Sequence, residues 1–206
     1  MLRVLGQPAS INVRKVLWTC AEIGLAVERE DWGGSTRSPQ TPGFLALNPN
    51  GMVPVIVDGE QVLWESNTIC RYLAARHGRT DLLPLGAGER ARVEQWMDWQ
   101  IAELNPAWSP AFVHLVRGRE MPADRVAAST AAWHRLMALL DRHLADGRAH
   151  VCGETFTLAD VVLGLSANRW RETPLADRPA LPAVQRWMAR LAQRDGCRQF
   201  GINGLV

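Results

Sequence analysis

Residues 48 to 72 read NPNGMVPVIVDGEQVLWESNTICRY, and they place a proline, Pro54, inside a run of β-branched residues. A proline in a strand removes a ladder hydrogen bond, so this position normally argues against strand pairing. A cis peptide bond between Val53 and Pro54 would resolve the conflict. It would also turn the main-chain N–H and C=O of Val53 outward into a cleft, free to pair with an extended, peptide-like ligand.

A Glu-Ser pair follows this segment at the point where the next helix is predicted. Glu65 and Ser66 come directly after a second strand, and Ser66 is placed to cap the helix. The exposed N–H groups of a helix start bind anions, so a carboxylate beside them matches the ammonium and carboxylate groups of an amino acid. By itself the pair favours an ordinary serine cap after a hairpin. Together with Pro54 at this spacing, it favours a binding site.

The composition allows a sizeable core and argues against two classes of partner. The chain has 206 residues, 47% of them hydrophobic, and a formal net charge of +2. Residues 1 to 80 carry 8 basic and 7 acidic side chains, and the remainder 15 and 14. Because the charge is evenly divided, neither nucleic acid nor an anionic membrane is an indicated partner. The N-terminus has no charged leader before an apolar run, and no apolar stretch approaches about 18 residues, so we expect a soluble, cytoplasmic protein.

Cysteine spacing argues against a metal or redox site. The four cysteines at positions 20, 70, 152 and 197 form no CxxC pair, and no histidine lies at metal-ligand spacing. Structural zinc and a dithiol redox motif are therefore not expected, and no metal is predicted. Cys20 and Cys70 fall on predicted helices among apolar neighbours, which favours buried packing thiols.

The hydrophobic pattern divides the chain into an α+β domain and an all-helical domain. Residues 1–78 predict the order β-α-β-α-β-β-α, with strands at 2–5, 26–32, 53–58 and 61–64, and a short helix at 44–47 after a loop at 33–42. Residues 79–88 lack periodicity and contain one proline and two glycines, which predicts a linker. Residues 89–206 predict helices only. We see no internal repeat.

Three signals organise the helical part. Apolar residues from Val93 onward mark a first helix, which Pro106 and Pro110 are predicted to interrupt. Thr157 and Asp160 are spaced as a capping box. Pro182 is predicted to open the last helix.

This order of elements, with a cis-proline before the third strand, resembles the cytosolic glutathione transferases. The resemblance covers essentially the whole chain and rests on the segments LGQPASINVRKVLW, FLALNPNGMVP, LWESNTICRYLA and FTLADV. The helix start at residues 10 to 15 is similar to that of bacterial, theta-like transferases of the serine and asparagine type. The resemblance implies a thioredoxin-like N-terminal domain and a C-terminal all-α bundle. It also implies a homodimeric enzyme that uses glutathione as co-substrate, with no other cofactor, and joins it to a small hydrophobic electrophile.

By the same resemblance, the glutathione thiol lies at the start of the first helix, with Ser10 as the first candidate for its hydrogen-bond donor. A free thiol has a pKa of about 8.5, so only a few per cent is nucleophilic thiolate near pH 7. A hydroxyl donor and the helix dipole together lower that pKa. Asn12 is the rival donor, because its amide is a stronger dipole and cannot ionise. Without a functional site, Ser10 would merely cap the helix and Asn12 would fill the second capping position.

The resemblance assigns most of the remaining contacts with glutathione. Val53, next to Pro54, pairs through its backbone with the cysteinyl unit. Glu65 and Ser66 hold the γ-glutamyl end.

The glycine end of glutathione and the second substrate are assigned less directly. Gly51 stands where serine-type relatives often have a histidine, so the glycine carboxylate needs another contact, with Gln40 or Arg37 as candidates. The second substrate is expected between Ser10 and the first long helix of the helical domain, near Trp108 and Phe112. Both aromatics also suit a hydrophobic core, since nine tryptophans have to be buried.

Two other functions remain open. A glutathione-dependent disulfide reductase or peroxidase on the same fold would favour Asn12 as the thiolate partner. A non-catalytic, transferase-like binding module usually lacks the thiol-site hydroxyl or the Glu-Ser pair, and both are present here. A thioredoxin-type oxidoreductase in its usual form is excluded, because the matching loop has no cysteine.

Overall fold

The computed structural model of the chain describes residues 1–203, which form a four-stranded mixed sheet with helices followed by a helical part. In the sheet, the strand order is β2-β1-β3-β4, with β1 parallel to β2 and antiparallel to β3, and β3 antiparallel to β4. The elements of this part are β1 (Leu2–Leu5), α1 (Ile11–Ile23), β2 (Val27–Glu30), α2 (Pro42–Leu45), β3 (Val55–Asp58), β4 (Gln61–Trp64) and α3 (Ser66–Arg76).

The helical part begins with α4, and no strand follows Trp64 within residues 1–203. The predicted fold class, a thioredoxin-like domain followed by an all-α bundle, is therefore confirmed. The last three residues of the predicted helical domain, 204–206, lie outside the described residues. The helices of this part are α4 (Ala87–Trp99), a π-helical turn (Gln100–Leu104), α5 (Asn105–Leu115), α6 (Ala123–His143), α7 (Leu158–Glu172), α8 (Pro182–Leu191) and a second π-helical turn (Cys197–Gly201).

Helix α1 forms because its apolar residues recur on one face and a glycine follows its last turn. Val13, Val16, Leu17 and Cys20 are all buried, as their spacing predicts. The helix ends at Gly24, which adopts a left-handed conformation that glycine tolerates without steric cost. Because α1 packs against both α3 and α7, it joins the sheet part to the helical part.

Two predictions about helices are wrong for identifiable reasons. The short helix starts at Pro42 and not at residue 44, because Thr41 caps it by accepting a hydrogen bond from Phe44 N at 3.4 Å. Pro106 and Pro110 do not interrupt the helical path. A π-helical turn connects α4 to α5, Pro106 lies in the first turn of α5, where its missing N–H is tolerated, and Pro110 is accommodated inside the helix.

The predicted capping box at the start of α7 is present and is part of a larger buried network. Asp160 is fully buried, and its Oδ2 accepts a hydrogen bond from Thr157 N at 2.9 Å. Its Oδ1 accepts from Val151 N and from Trp187 Nε1, each at 2.9 Å. A fourth bond comes from Thr157 Oγ1, which donates to Oδ2 at 3.2 Å. One carboxylate thus satisfies four buried donors, which fixes α7 against α8 and the preceding loop.

A buried lysine connects α1 to the start of α3. Lys15 Nζ donates to Asn67 Oδ1 at 3.0 Å and to Gln100 Oε1 at 2.7 Å. Asn67 Nδ2 donates in turn to Met97 O at 2.8 Å, on α4. Burial lowers the pKa of Lys15 to about 7, because the ammonium group is removed from water. These bonds hold the first helix, α1, against the start of α3 and the end of α4.

Among residues 1–203, no helix is both long and apolar enough to cross a membrane. The same residues contain no group of three or more His, Cys, Asp or Glu side chains arranged to hold a metal ion. Cys20 and Cys70 are buried, as predicted, and all four cysteines are free thiols.

Candidate active site

One cleft lies where the first turn of α1, the loop before β3 and the start of α3 meet. It contains five of the predicted site residues: Asn12, Val53, Pro54, Glu65 and Ser66. They come together because β3 lies beside β1, the strand that directly precedes α1. The β3-β4 hairpin then leads into α3. Three further lining residues were missed by sequence reasoning, namely Asn48, Asn50 and Met52.

The missed residues belong to a turn that the NPNG motif could have indicated. Asn48 is buried, and its Oδ1 accepts from Asn50 N at 3.0 Å, which is the Asx-type bond typical of such turns. Asn48 Nδ2 donates to Met52 O at 2.8 Å. The side chain of Asn48 therefore shapes the backbone that leads into Val53. The peptide bond between Val53 and Pro54 is cis, as predicted, and β3 begins only at Val55.

Ser66 does not cap α3, which corrects the sequence prediction. Glu65 occupies the N-cap position, with a positive φ of 70° that is rare for a residue other than glycine, and Ser66 is the first helical residue. Ser66 is 2% exposed, and its Oγ has no hydrogen-bond partner among residues 1–203. Its hydroxyl is therefore not used by the fold. A non-glycine residue held at positive φ costs about 1–3 kcal/mol, and such strain is concentrated at binding sites.

Ser10 and Asn12 lie at the start of α1, and neither side chain is needed to cap it. Ser10 occupies the N-cap position, but its side chain makes no capping hydrogen bond. Its main chain is fixed instead, because Ser10 N donates to Gln7 O at 3.1 Å and Arg14 N donates to Ser10 O at 3.0 Å. Asn12 lines the cleft, and its buried Oδ1 has no hydrogen-bond partner within residues 1–203. The structural alternative, in which both side chains serve as caps, therefore lacks the bonds it needs.

Gln40 occupies the space beside Gly51 that a side chain at position 51 would take. Its Nε2 donates to Gly51 O at 3.1 Å, and a Cβ atom built at Gly51 would lie 2.3 Å from the same nitrogen. Gly51 also has a φ of +60°, which favours glycine. For Arg37, the other candidate, Cζ lies 4.0 Å from the centre of the Trp32 ring, and Nη1 lies 3.5 Å from Glu30 Oε2. Of the two, Gln40 is the one hydrogen-bonded to the loop that leads into the cleft.

Trp108 and Phe112 lie on α5 and outside the residues that line the cleft. Their rings meet edge to face at 5.3 Å. Phe112 is only 3% exposed and belongs to the core, whereas Trp108 is half-buried and donates from Nε1 to Asn105 Oδ1 at 2.9 Å. Cζ of Arg169 lies 4.6 Å from the centre of the Trp108 ring and 4.1 Å from that of Phe112. The two rings therefore have a cation beside them and do not form a purely apolar wall.

Family models match both halves of the chain. Residues 9–76 match the model described as glutathione S-transferase, N-terminal domain, and residues 123–190 match glutathione S-transferase, C-terminal domain. The first match includes the cleft from Asn12 to Ser66. The second spans all of α6 and α7 and nearly all of α8.

Individual proteins are similar over the full length. Glutathione S-transferase GstB of Escherichia coli K12 is 36% identical over 203 residues, covering 97% of each chain. Glutathione S-transferase 3 of Zea mays is 34% identical, covering 94% of this chain and 90% of its own. Among solved structures, the theta class glutathione S-transferase of Xanthomonas axonopodis pv. citri with glutathione bound aligns with a TM-score of 0.93 at 37% identity. That alignment covers 100% of this chain and 99% of the other.

Proposed function

Because this chain belongs to the glutathione S-transferase family, we propose that it joins glutathione, through its thiolate sulfur, to a small hydrophobic electrophile. The observation that carries the proposal is a cleft in which two buried polar atoms, Asn12 Oδ1 and Ser66 Oγ, have no partner among residues 1–203. Buried polar groups are normally hydrogen-bonded, so two such atoms beside an exposed Glu65 indicate a polar ligand.

The γ-glutamyl end of glutathione matches the start of α3. Its carboxylate would accept from Ser66 Oγ and from the free N–H groups of the helix start, where the helix dipole favours an anion. Its ammonium group would face the exposed carboxylate of Glu65. The main chain of Val53 would pair with the cysteinyl unit, and Gln40 would reach the glycine carboxylate from the loop around Gly51.

The thiol would then lie at the start of α1. Lowering its pKa by about two units requires about 2.7 kcal/mol, which a charge-assisted hydrogen bond and a helix terminus can supply together. Ser10 remains our first choice for the donor, because its hydroxyl is not used as a cap. The thiolate forms a bond to the electrophilic carbon, the leaving group departs with its electron pair, and the thiol proton passes to solvent.

A glutathione-dependent disulfide reductase or peroxidase is the second candidate, and one observation favours it. Asn12 lines the cleft, and this reading expects Asn12 to be the thiolate partner. The two candidate functions differ in what happens to glutathione. A reductase oxidises two glutathione molecules to the disulfide, whereas a transferase converts one into a thioether without oxidising it.

We further propose a cytoplasmic homodimer. The four free thiols fit a reducing compartment. β4 is an edge strand, and Val62 and Trp64 on it are 37% and 38% exposed, while the nearby Met52 is 63% exposed. Exposed apolar residues on a sheet edge are typical of a protein–protein contact.

The test is turnover of chlorodinitrobenzene with glutathione, combined with an ultraviolet titration of bound glutathione. We expect thioether formation and a thiolate absorbance that persists at neutral pH. A protein that binds glutathione only as the thiol would be a passive binder, and release of glutathione disulfide without thioether would favour the reductase.

A further inference from the structure

Arginines from three separate elements converge beside the thiol end of the cleft. Arg14 lies on α1, Arg117 follows α5, and Arg169 lies on α7. Arg117 Nη2 donates to Ala9 O at 3.4 Å, across a sequence separation of 108 residues. This bond brings a guanidinium to the residue that precedes Ser10. Because Arg117 is otherwise exposed, its remaining donors are open to solvent at this position.

Arg169 supplies a buried cation next to the same place. It is 3% exposed, and its guanidinium lies 4.6 Å from the Trp108 ring centre and 4.1 Å from that of Phe112. Its Nε has no hydrogen-bond partner among residues 1–203. The guanidinium of Arg117 lies 5.4 Å from the centre of the same Phe112 ring. Two cations therefore share one aromatic residue.

The electrostatics of this group are unfavourable without an anion. Burial, together with the positive charges of Arg14 and Arg117, lowers the pKa of Arg169 to about 9. Within residues 1–203, neither Arg117 nor Arg169 takes part in an ion pair with a carboxylate. Arg14 already has partners, including Asn203 Oδ1 at 3.5 Å, so we treat it as a source of positive potential and not as a ligand group.

We propose, on the basis of the transferase function above, that the second substrate carries a carboxylate or sulfonate, which Arg117 and Arg169 bind beside the thiol. The two carboxylates of glutathione itself are assigned above to Ser66 and to Gln40. A third anion is therefore needed to match the arginines. Guanidinium groups are suited to planar, bidentate recognition of a carboxylate.

A chlorodinitrobenzoate with chlorine para to the carboxylate is an electrophile of this class. The sulfur of the thiolate bonds to the ring carbon that carries chlorine, the C–Cl bond breaks, and chloride leaves with the electron pair. The thiol proton has already passed to solvent. The carboxylate takes no part in bond making and serves only to hold the ring.

The experiment compares this benzoate with the corresponding benzamide, which has nearly the same shape and no charge. For each compound, kcat/KM is divided by the rate constant of the uncatalysed reaction with glutathione, and the benzoate-to-benzamide ratio is formed. We expect a ratio well above one for the native protein. Arg117→Gln should lower that ratio by about tenfold, as expected for a hydrogen-bonded charge contact. Arg117→Lys, which keeps the charge, should recover a large part of it.

Arg119→Gln is the matched control, because Arg119 is an exposed arginine two residues away. It should leave the ratio unchanged. A native ratio near or below one would overturn the proposal, as would a ratio that Arg117→Gln leaves within twofold of the native value. In those cases turnover of the benzamide would show that the transferase function still stands. Failure to convert benzoate, benzamide and chlorodinitrobenzene alike would instead refute the transferase function, and this proposal with it.

Discussion

Replacing Ser66 by alanine tests whether its hydroxyl binds the ligand or stabilises the fold. A helix cap would tie its side chain to the fold, but the Oγ atom of Ser66 has no hydrogen-bond partner among residues 1–203. Ser66→Ala therefore breaks no hydrogen bond within this part of the protein. We expect the free energy of unfolding without ligand to change by no more than about 0.5 kcal/mol.

The effect on glutathione should be much larger. A hydrogen bond to a charged group contributes about 1.5–3 kcal/mol, and the backbone N–H groups at the start of α3 will replace part of it. We expect a loss of about 1–2 kcal/mol in binding free energy, or roughly a five- to thirtyfold increase in Kd. At a glutathione concentration of about 100 times the native Kd, binding stabilises the native protein by about 2.7 kcal/mol. A tenfold weaker variant would gain only about 1.4 kcal/mol at the same concentration.

Titration calorimetry gives the Kd, and scanning calorimetry with and without glutathione gives the stability. Ser129→Ala is the matched control, because Ser129 is also a buried serine but both of its bonds are made. Its Oγ donates to Ala107 O at 2.6 Å and accepts from Ala111 N at 3.0 Å. This control should lose about 1–3 kcal/mol of stability and keep its affinity for glutathione.

Two results would refute the reasoning about Ser66. Unchanged glutathione affinity in Ser66→Ala would mean that the Glu65-Ser66 pair does not hold the γ-glutamyl end. A loss of stability in the ligand-free variant as large as that of Ser129→Ala would mean that the hydroxyl supports the fold after all.

Further variants test the thiol site and the buried charges. Ser10→Ala should lower kcat/KM toward chlorodinitrobenzene at least tenfold and leave the Kd for glutathione within a few-fold of the native value. If Ser10→Ala leaves kcat/KM unchanged while Asn12→Ala lowers it, Asn12 is the activating residue. The folded-state pKa of Lys15, about 7, lies below the usual value of 10.5, so the folded protein binds fewer protons than the unfolded chain between these pH values. Stability should therefore rise with pH, by about 2 kcal/mol between pH 7 and 9, and Lys15→Met should abolish this rise in urea unfolding curves; a parallel pH dependence in both proteins would contradict it. Asp160→Asn, which disturbs a set of four hydrogen bonds from buried donors, should cost at least about 3 kcal/mol in the same assay, and a loss below about 1 kcal/mol would contradict the network.

Local patterns predicted much of the fold because their causes lie within a few residues. The spacing of Val13 and Val16 placed α1 and its buried face, and the four-residue signal from Thr157 to Asp160 placed the start of α7. Pro54 in a β-branched run indicated the cis bond. Predictions became wrong where a local signal had two outcomes, as for Pro106, whose missing N–H can end a helix or be tolerated in its first turn.

For the site, the sequence by itself determined which chemistry was present, since a helix start with Ser10 and Asn12, a loop with Val53, and Glu65 with Ser66 are each readable as motifs. Only the tertiary structure decided how each group is used. Whether Ser66 caps α3 depends on where the helix begins, and in the folded chain Glu65, with a φ of 70°, takes the N-cap position. The contact of Arg117 with Ala9 joins residues far apart in the chain, so no window of sequence contains both partners. Burial and long-range contact are properties of the folded chain, and they set the charge and the availability of side chains whose identity the sequence already states.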